Sequence, residues 1–176
     1  MIASTFKENR EAILFVAKLL GLFLVLEGVY DYLLSPYTAV DNWLIGLLIS
    51  QTETVLTVLG YELLEPNLAY THHVGIAETS GVVIGNPCDG LSLFILYTSF
   101  LIIFSGKAWF KGLALTIGIF FIHFLNLGRI VCLALIVKYY PSWLDFHHSY
   151  TFTLFIYSCI FAMWFARVKI YQKKKW

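Results

Sequence analysis

The sequence predicts an all-α integral membrane protein with about four transmembrane helices, an outer amphipathic helix and a short hairpin. The first observation is composition: hydrophobic residues make up 59% of the 176 residues and charged residues 13%, against about 25% charged in ordinary globular proteins. A small domain leaves much of its surface in water, so this much apolar surface must face a bilayer. The other two observations are long apolar runs and a segregation of the basic residues.

Four apolar runs come close to the length of about 20 residues that a helix needs to cross a hydrocarbon core. They cover residues 12–34, 88–105, 109–137 and 150–168 of a single membrane domain over 1–176. The third has two interpretations, one helix continuing to Val137 or a span followed by a re-entrant half-helix over 130–140. The first run resembles a signal peptide, but no small-residue cleavage site follows it, so we expect a retained helix.

The basic residues predict the orientation. They cluster at residues 7–18, 107–111 and 167–175, whereas residues 19–106 contain no Lys or Arg but eight Asp and Glu. Because cytoplasmic loops are enriched in Lys and Arg, both termini and the basic tail 169–176 are predicted in the cytoplasm, and residues 35–87 outside. A net charge of +1 excludes a nucleic-acid binder that depends on phosphate neutralisation.

The segment 35–87 carries two local patterns. Residues 41–60 have the periodicity of an amphipathic helix lying in the membrane interface. Its apolar face contains Leu44, Leu48, Val55 and Leu59, and its polar face contains Asn42, Ser50, Glu53 and Thr57. Residues 70–86 have the pattern of a hairpin, because Val74 and Ile76 occupy alternate positions before a turn over 78–81, as do Val82 and Ile84 after it.

Cys88 is the first candidate for chemistry. It belongs to the run 86–90, Asn-Pro-Cys-Asp-Gly, in which Asn is a favoured helix N-cap and Pro a favoured first helical residue. This pattern predicts Cys88 in the first turn of the second membrane helix, where thiols ionise more readily. The alternative is a buried cysteine that packs as a small hydrophobe, which we expect for Cys132 and Cys159.

A polar stripe in the third apolar run is the second candidate. His123, Asn126 and Arg129 are three residues apart and share one helix face. An arginine in a membrane helix is costly unless paired and is a functional candidate. Arg129 lies about 30 Å along a helix that starts at Trp109, which predicts a place at the outer interface. The alternative is an anchoring arginine that reaches to the head groups.

The third candidate is the pair His147 and His148, which follows Asp145 just before the last apolar run. Imidazole titrates near neutrality and is the usual general base for a cysteine nucleophile, although an exposed interfacial pair is the alternative. Together the candidates suit acyl transfer: Cys88 attacks a peptide carbonyl, a histidine moves the proton, and Arg129 stabilises the thiolate or the anionic intermediate.

Two further groups of residues have less definite interpretations. His72, His73, His147 and His148 could together bind a metal, but adjacent histidines on a strand point to opposite faces, and no ligand spacing typical of metal sites occurs. We therefore predict no metal and no cofactor. Glu27 and Asp31, one turn apart on the first helix, could offset the charge of Arg129, bind substrate or simply reach the interface.

These motifs in this order resemble the exosortase/archaeosortase family, most closely the compact bacterial exosortases of Bacteroidetes type. The resemblance covers residues from about 80 to the C-terminus and rests on Cys88-Asp89-Gly90, on Asn126-x-x-Arg129 and on a histidine before the last helix. It implies a catalytic set carried onto Cys88, Arg129 and His148, with His147, Asn126 and Asp89 in possible catalytic or supporting roles. Asp89 departs from the family, which often has Ser or Thr there.

The resemblance also implies an activity, a location and partners. The expected protein is a cysteine protease or transpeptidase in the bacterial cytoplasmic membrane, with its active site on the outer face. Its expected substrates are exported proteins whose C-terminal tail has a recognition motif, a hydrophobic helix and a basic cluster, lying among the membrane lipids. The alternative function is a non-catalytic membrane subunit of an exopolysaccharide or secretion system.

Overall fold

The protein is described from a computed structural model that covers residues 10–65 and 72–174. The described residues are 79% helical, and they contain five α-helices longer than three residues. They are α1 (Arg10–Val29), α2 (Val40–Val58), α3 (Leu91–Ile103), α4 (Ala108–Tyr139) and α5 (Phe152–Lys174). The predicted all-α membrane class is confirmed. Of the basic residues used for orientation, Lys7 and Lys175 lie outside the described residues.

Three helical segments of the described chain are long and apolar enough to cross a membrane. They are Arg10–Leu34, Ala108–Tyr139 and Pro141–Gln172. The fourth predicted span, 88–105, contains only the 13-residue helix α3, about 20 Å long at 1.5 Å per residue. The helix is short because its backbone leaves the helical conformation at both ends. Gly90, with φ +95°, precedes Leu91, and Phe104 has an extended backbone after Ile103.

Helix α4 is continuous over its 32 residues, which selects the single-helix interpretation over a re-entrant half-helix at 130–140. At about 48 Å it is longer than a hydrocarbon core of about 30 Å. Its last turns therefore extend beyond the apolar bundle, and they pack against segment 35–87. The buried α4 residues in that contact are Leu127, Ile130, Val131 and Ala134.

Segment 35–87 folds over this end of α4 as α2 and a hairpin. Strand β1 (His73–Val74) pairs antiparallel with β2 (Val82–Val83), with His73 opposite Val83. The turn between them contains Glu78 and Gly81, both at φ 63°. The predicted hairpin is thus present, although its first two residues, 70 and 71, lie outside the described part. Val74, Ile76 and Ile84 place its apolar face in the same core as α2 and α4.

The buried face of α2 differs from the prediction by part of a turn. Leu44, Ile45, Leu48 and Leu56 are at most 5% exposed, whereas Leu59 ends the helix and is 55% exposed. The apolar face of α2 packs on α4 and the hairpin. Other parts of the protein cover this apolar face. The position of α2 in the membrane interface therefore stays a prediction.

Aromatic side chains fill the core between α1, α3, α4 and α5. The Phe100 ring stacks on Trp164 with centroids 4.7 Å apart, and the edge of Phe15 meets it from α1. A Cβ atom at the buried Gly118 would overlap the Tyr97 ring, so glycine lets α4 approach α3 closely. This core holds the two ends of α3, one beside Cys88 and one beside Gly106, in fixed positions.

The last helical segment begins earlier than predicted. It starts at Pro141 with a 3₁₀ turn and one helical turn, and continues through a π-helical turn, His147–Thr151, into α5. The two histidines therefore lie within the helix and not in a loop before it. Such π-turns are often found at functional sites, because they shift side chains off the regular helix face.

Candidate active site

Cys88 ends a 3₁₀ turn, Asn86–Cys88, that precedes α3. The prediction that Cys88 lies in the first turn of a membrane helix is wrong, because Gly90 adopts φ +95° and separates the two elements. The capping roles also differ from the prediction. Asp89 accepts a hydrogen bond from the Leu91 backbone N–H through Oδ1 at 2.8 Å, while the Asn86 amide donates to side chains of the preceding segment.

Two side chains from other helices flank the thiol. His148 Nε2 lies 3.4 Å from Cys88 Sγ, and Arg129 Nη2 donates to the same sulfur at 3.7 Å. All three side chains are half-buried. Arg129 projects from α4 and His148 from the π-turn before α5, so the thiol lies between a permanent cation and an imidazole. A cation and an imidazole beside a thiol both favour the thiolate.

Asn126 holds the backbone that carries the thiol. Its amide Nδ2 donates to the Cys88 carbonyl oxygen at 2.8 Å, and its side chain is 1% exposed. Glycine suits this approach, because Gly90 adopts φ +95° and a Cβ atom there would lie 3.3 Å from the same amide nitrogen, closer than most Cβ contacts. Asn126 and Arg129, one turn apart on α4, thus contact the backbone and the sulfur of one residue.

The other histidines have different partners. His123 Nε2 pairs with Gln51 Oε1 of α2 at 2.7 Å, so the third member of the predicted polar stripe lies away from the thiol. His147 Nδ1 pairs with Thr151 Oγ1 at 3.1 Å, so only His148 of the adjacent pair contacts Cys88. His73 Nε2 pairs with the Ser80 carbonyl oxygen at 2.7 Å. Among residues 10–65 and 72–174, no three His, Cys, Asp or Glu side chains form a group that could hold a metal ion.

The remaining cysteines are both free thiols. Cys159 is half-buried, while Cys132 is exposed and lines a surface cleft of about 440 Å³ with His147, Tyr139 and Tyr140. The expectation that Cys132 packs as a buried hydrophobe is wrong, because its face of α4 is not covered by another described helix. In the described part of the chain, the sulfur contacts with an imidazole and a guanidinium are those of Cys88.

Comparison with known proteins identifies the family of the chain. A family model described as transmembrane exosortase (Exosortase_EpsH) matches residues 5–167. The chain belongs to the exosortase family. No curated protein and no solved structure matches it. Membership assigns this exosortase-family chain, in general terms, a membrane-embedded peptidase or transpeptidase function, and the apolar helices make it a multi-pass membrane protein.

Sequence reasoning missed one residue that supports the candidate site, Asp41 in the first turn of α2. It is 4% exposed and accepts hydrogen bonds from the Tyr30 hydroxyl at 2.5 Å and the Ser35 hydroxyl at 2.6 Å. Asn86, at the start of the Cys88 turn, donates to the same carboxylate at 3.5 Å. Asp41 thus ties α1 and α2 to the turn that carries the thiol. The available signal was its position on the apolar face of α2, three residues before Leu44.

The structure separates the roles of Glu27 and Asp31. Glu27 accepts a short hydrogen bond from the Ser92 hydroxyl of α3, and its second carboxylate oxygen is buried without a hydrogen-bond partner among the described residues. Asp31 is exposed. Glu27 therefore joins α1 to the first turn of α3, one turn beyond Cys88, and Asp31 does not contribute to this contact.

Asp89 lies in the turn before α3 and is 1% exposed. Burial raises the pKa of its carboxyl to about 7, the hydrogen bond from the Leu91 backbone lowers it, and the nearby carboxylates of Asp41 and Glu27 raise it further. Among the described residues, no donor reaches the buried Oδ2 atom of Asp89. Burial beside two other carboxylates therefore favours the protonated form of this carboxyl, next to the nucleophile candidate.

We expect Asp89 to contribute stability that is lost as the pH rises from about 4 to about 7. Its pKa is raised to about 7 on folding, so the folded state keeps a proton that the unfolded state releases. Asp89→Asn keeps the oxygen that accepts from Leu91 and removes the titration, so its stability should vary less over this range. Thermal unfolding of both proteins in mild detergent at several pH values measures the difference. Parallel curves for the two proteins would contradict the assignment.

Proposed function

We propose that this protein is a cysteine-dependent protease or transpeptidase that cleaves the C-terminal sorting tail of exported proteins at the outer face of the bacterial cytoplasmic membrane. One observation carries the proposal: His148 Nε2 and Arg129 Nη2 lie 3.4 Å and 3.7 Å from Cys88 Sγ, although the three residues belong to three different elements. In this proposal Cys88 is the nucleophile, His148 the general base and acid, and Arg129 the electrostatic stabiliser.

The first half of the reaction forms an acyl-enzyme. The Cys88 S–H proton passes to His148 Nε2, and the thiolate attacks the scissile carbonyl carbon, which moves the carbonyl π electrons onto oxygen. Arg129 remains protonated throughout, so its guanidinium stabilises the negative charge on sulfur before attack and supports the developing oxyanion. The tetrahedral intermediate then expels the leaving amine, which takes the proton from His148, and a thioester on Cys88 remains.

The second half of the reaction resolves the thioester. An acceptor amine or water loses a proton to His148 and attacks the thioester carbonyl, and the Cys88 sulfur leaves and is reprotonated. An amine acceptor gives transpeptidation and water gives hydrolysis. Asn126 and Asp89 support both halves as positioning residues, since Asn126 holds the Cys88 carbonyl and Asp89 holds the backbone at the start of α3.

The proposed location follows from the charges. With the basic clusters in the cytoplasm, α1 and α4 run outward, so Cys88, Arg129 and His148 come to the outer end of the bundle. A substrate tail with a hydrophobic helix and a basic cluster has the same polarity as α5, which ends in the basic residues 167–174. Such a tail would lie in the membrane beside the enzyme and bring its scissile bond to the level of Cys88.

Thiol labelling tests the nucleophile without knowledge of the substrate. In a Cys132→Ser, Cys159→Ser background, we expect a membrane-impermeant maleimide added outside intact cells to modify Cys88 rapidly at neutral pH. His148→Ala should slow the reaction at least about tenfold, because the imidazole no longer takes the thiol proton. His147→Ala is the matched control and should react at the parent rate, since His147 contacts Thr151 instead.

An unreactive Cys88, or equal rates in the two histidine variants, would contradict the proposal. That result would favour the alternative function, a non-catalytic membrane subunit of an exopolysaccharide or secretion system in which these polar side chains only join helices. Labelling from the cytoplasmic side alone would contradict the proposed orientation.

A further inference from the structure

Arg167 is a buried cation at the Gly106 end of the bundle, away from Cys88. Its side chain is 5% exposed, and Nε, Nη1 and Nη2 are all buried without a hydrogen-bond partner in the described part of the chain. A guanidinium stays protonated and carries five N–H donors. Removing such an ion from water is costly unless an acceptor replaces the water. The Arg167 guanidinium therefore lacks hydrogen-bond acceptors among the described residues.

Aromatic rings offset part of the cost of burying this positive charge. The Arg167 Cζ atom lies 4.1 Å from the centroid of the Phe110 ring and 5.7 Å from that of Phe104. Ring faces attract the positive charge by the cation–π effect. They do not replace acceptors for the N–H groups in the plane of the guanidinium, which are the groups that bind carboxylates and phosphates in pairs.

The loop between α3 and α4 lies against the guanidinium. A Cβ atom at Gly106 would be 2.8 Å from Arg167 Nη2, so a side chain there would displace the guanidinium. The next residue, Lys107, is the N-cap of α4. The N-terminus of a helix attracts anions through its first N–H groups and its dipole. The guanidinium and the N-terminus of α4 thus meet at one loop.

A cavity of about 440 Å³ opens beside this loop. It is lined by Phe104, Ser105 and Tyr171, by apolar side chains of α1, α3 and α5, and by the polar side chain of Gln172. Phe104 also contacts the guanidinium, and Tyr171 lies against Gly106, so the cavity borders the Arg167 environment. Its predominantly apolar walls suit the hydrocarbon part of a lipid, while Ser105 and the loop backbone suit a polar head.

We infer that Arg167 and the first turn of α4 bind a phosphate group, of the kind carried by membrane phospholipids, whose hydrocarbon part occupies the cavity beside Phe104. Phosphate offers several acceptor oxygens to a guanidinium and fits a helix N-terminus. Two further basic side chains, Lys107 and Lys111, lie at the start of α4 and favour an anion. The inference does not depend on the catalytic proposal.

The test measures binding to the full chain in an uncharged detergent by native mass spectrometry. The probes are dioleoyl phosphatidylglycerol, dioleoylglycerol, which lacks the phosphate, and inorganic phosphate. We expect phosphatidylglycerol to bind at least tenfold more tightly than dioleoylglycerol, and Arg167→Gln to remove that preference. Lys169→Gln is the matched control, because it removes an exposed charge two residues away on the same helix, and should retain the preference within twofold.

Two further measurements distinguish a lipid phosphate from free phosphate, and a loss of binding from a loss of folding. Inorganic phosphate binding that requires Arg167 and matches the lipid would support a phosphate site filled by the free anion. Thermal unfolding of Arg167→Gln without lipid shows whether that variant misfolds. If it does, Arg167→Lys, which keeps the charge, is measured instead, and its preference for phosphatidylglycerol over dioleoylglycerol should be weaker than that of the wild type. Equal affinity of the wild type for phosphatidylglycerol and dioleoylglycerol, with no binding of inorganic phosphate, would overturn the inference.

Discussion

Replacing Cys88 with alanine should reduce tail processing by at least about 10³-fold, because no other group in the described chain can form the acyl-enzyme at this position. Alanine removes only the sulfur, and the Cys88 carbonyl still accepts the hydrogen bond from Asn126. The variant should therefore insert into the membrane in normal amounts. The measurement is the conversion of an exported reporter that carries a tripartite C-terminal tail from the same genome, followed by immunoblot.

Two controls make this result specific. Cys132→Ala and Cys159→Ala remove the thiols that have no catalytic neighbours, and both should process the reporter at the parent rate. Arg129→Gln should lower processing while leaving Cys88 present, because the carboxamide has no charge to stabilise the thiolate. Normal processing by Cys88→Ala would exclude the proposed mechanism, whatever the behaviour of the other variants.

Replacing Asp41 with alanine should destabilise the protein by about 2–4 kcal/mol, the second large effect we expect. The change leaves the buried Tyr30 hydroxyl without its acceptor and releases Ser35 and Asn86. Leaving a buried polar group unsatisfied costs about 1–3 kcal/mol, and more than one group is affected here. The measurement is the unfolding temperature in mild detergent. Maleimide labelling of Cys88 should also change, because Asn86 begins the turn that carries the thiol.

Asp31→Ala is the matched control for Asp41→Ala. Asp31 adjoins Tyr30 in sequence but is exposed, so its removal should change stability by less than about 0.5 kcal/mol. Asp41→Asn should fall between the two, since the carboxamide oxygen still accepts one hydrogen bond. Equal stability of the Asp41 and Asp31 variants would show that the network around Asp41 does not hold the two helices to the Cys88 turn.

Local patterns predicted the elements of this fold well, but their boundaries less well. Apolar runs found the long helices because a span must be apolar over its whole length. The start of α3 was placed too early, since Asn86 and Pro87 suit a helix start in isolation, while Gly90 ends that turn and Asp89 provides the cap. Likewise the last helical segment begins before the histidines, because the chain from Pro141 onward continues through a π-turn.

The candidate site was predictable as a set of residues but not as an arrangement. A thiol, a guanidinium and an imidazole stood out because each is unusual in so apolar a chain. The sequence could not exclude His123 or His147, which have the same chemistry as His148. Their distances from Cys88 depend on how α2, α4 and the π-turn pack. Asp41 was missed because a carboxylate in the first turn of a helix normally has a sufficient local explanation, the helix dipole.

The sequence by itself determined that this is a helical multi-pass membrane protein of the exosortase family, with Cys88, Arg129 and a histidine as the candidates for chemistry. Those conclusions depend on hydropathy and motif order, which are properties of short stretches of chain. Only the tertiary structure decided that His148 is the histidine beside Cys88, that Asn126 holds its carbonyl, and that Asp41 supports its turn. These contacts join residues 38 to 60 positions apart, and no local preference specifies which distant helices pack together.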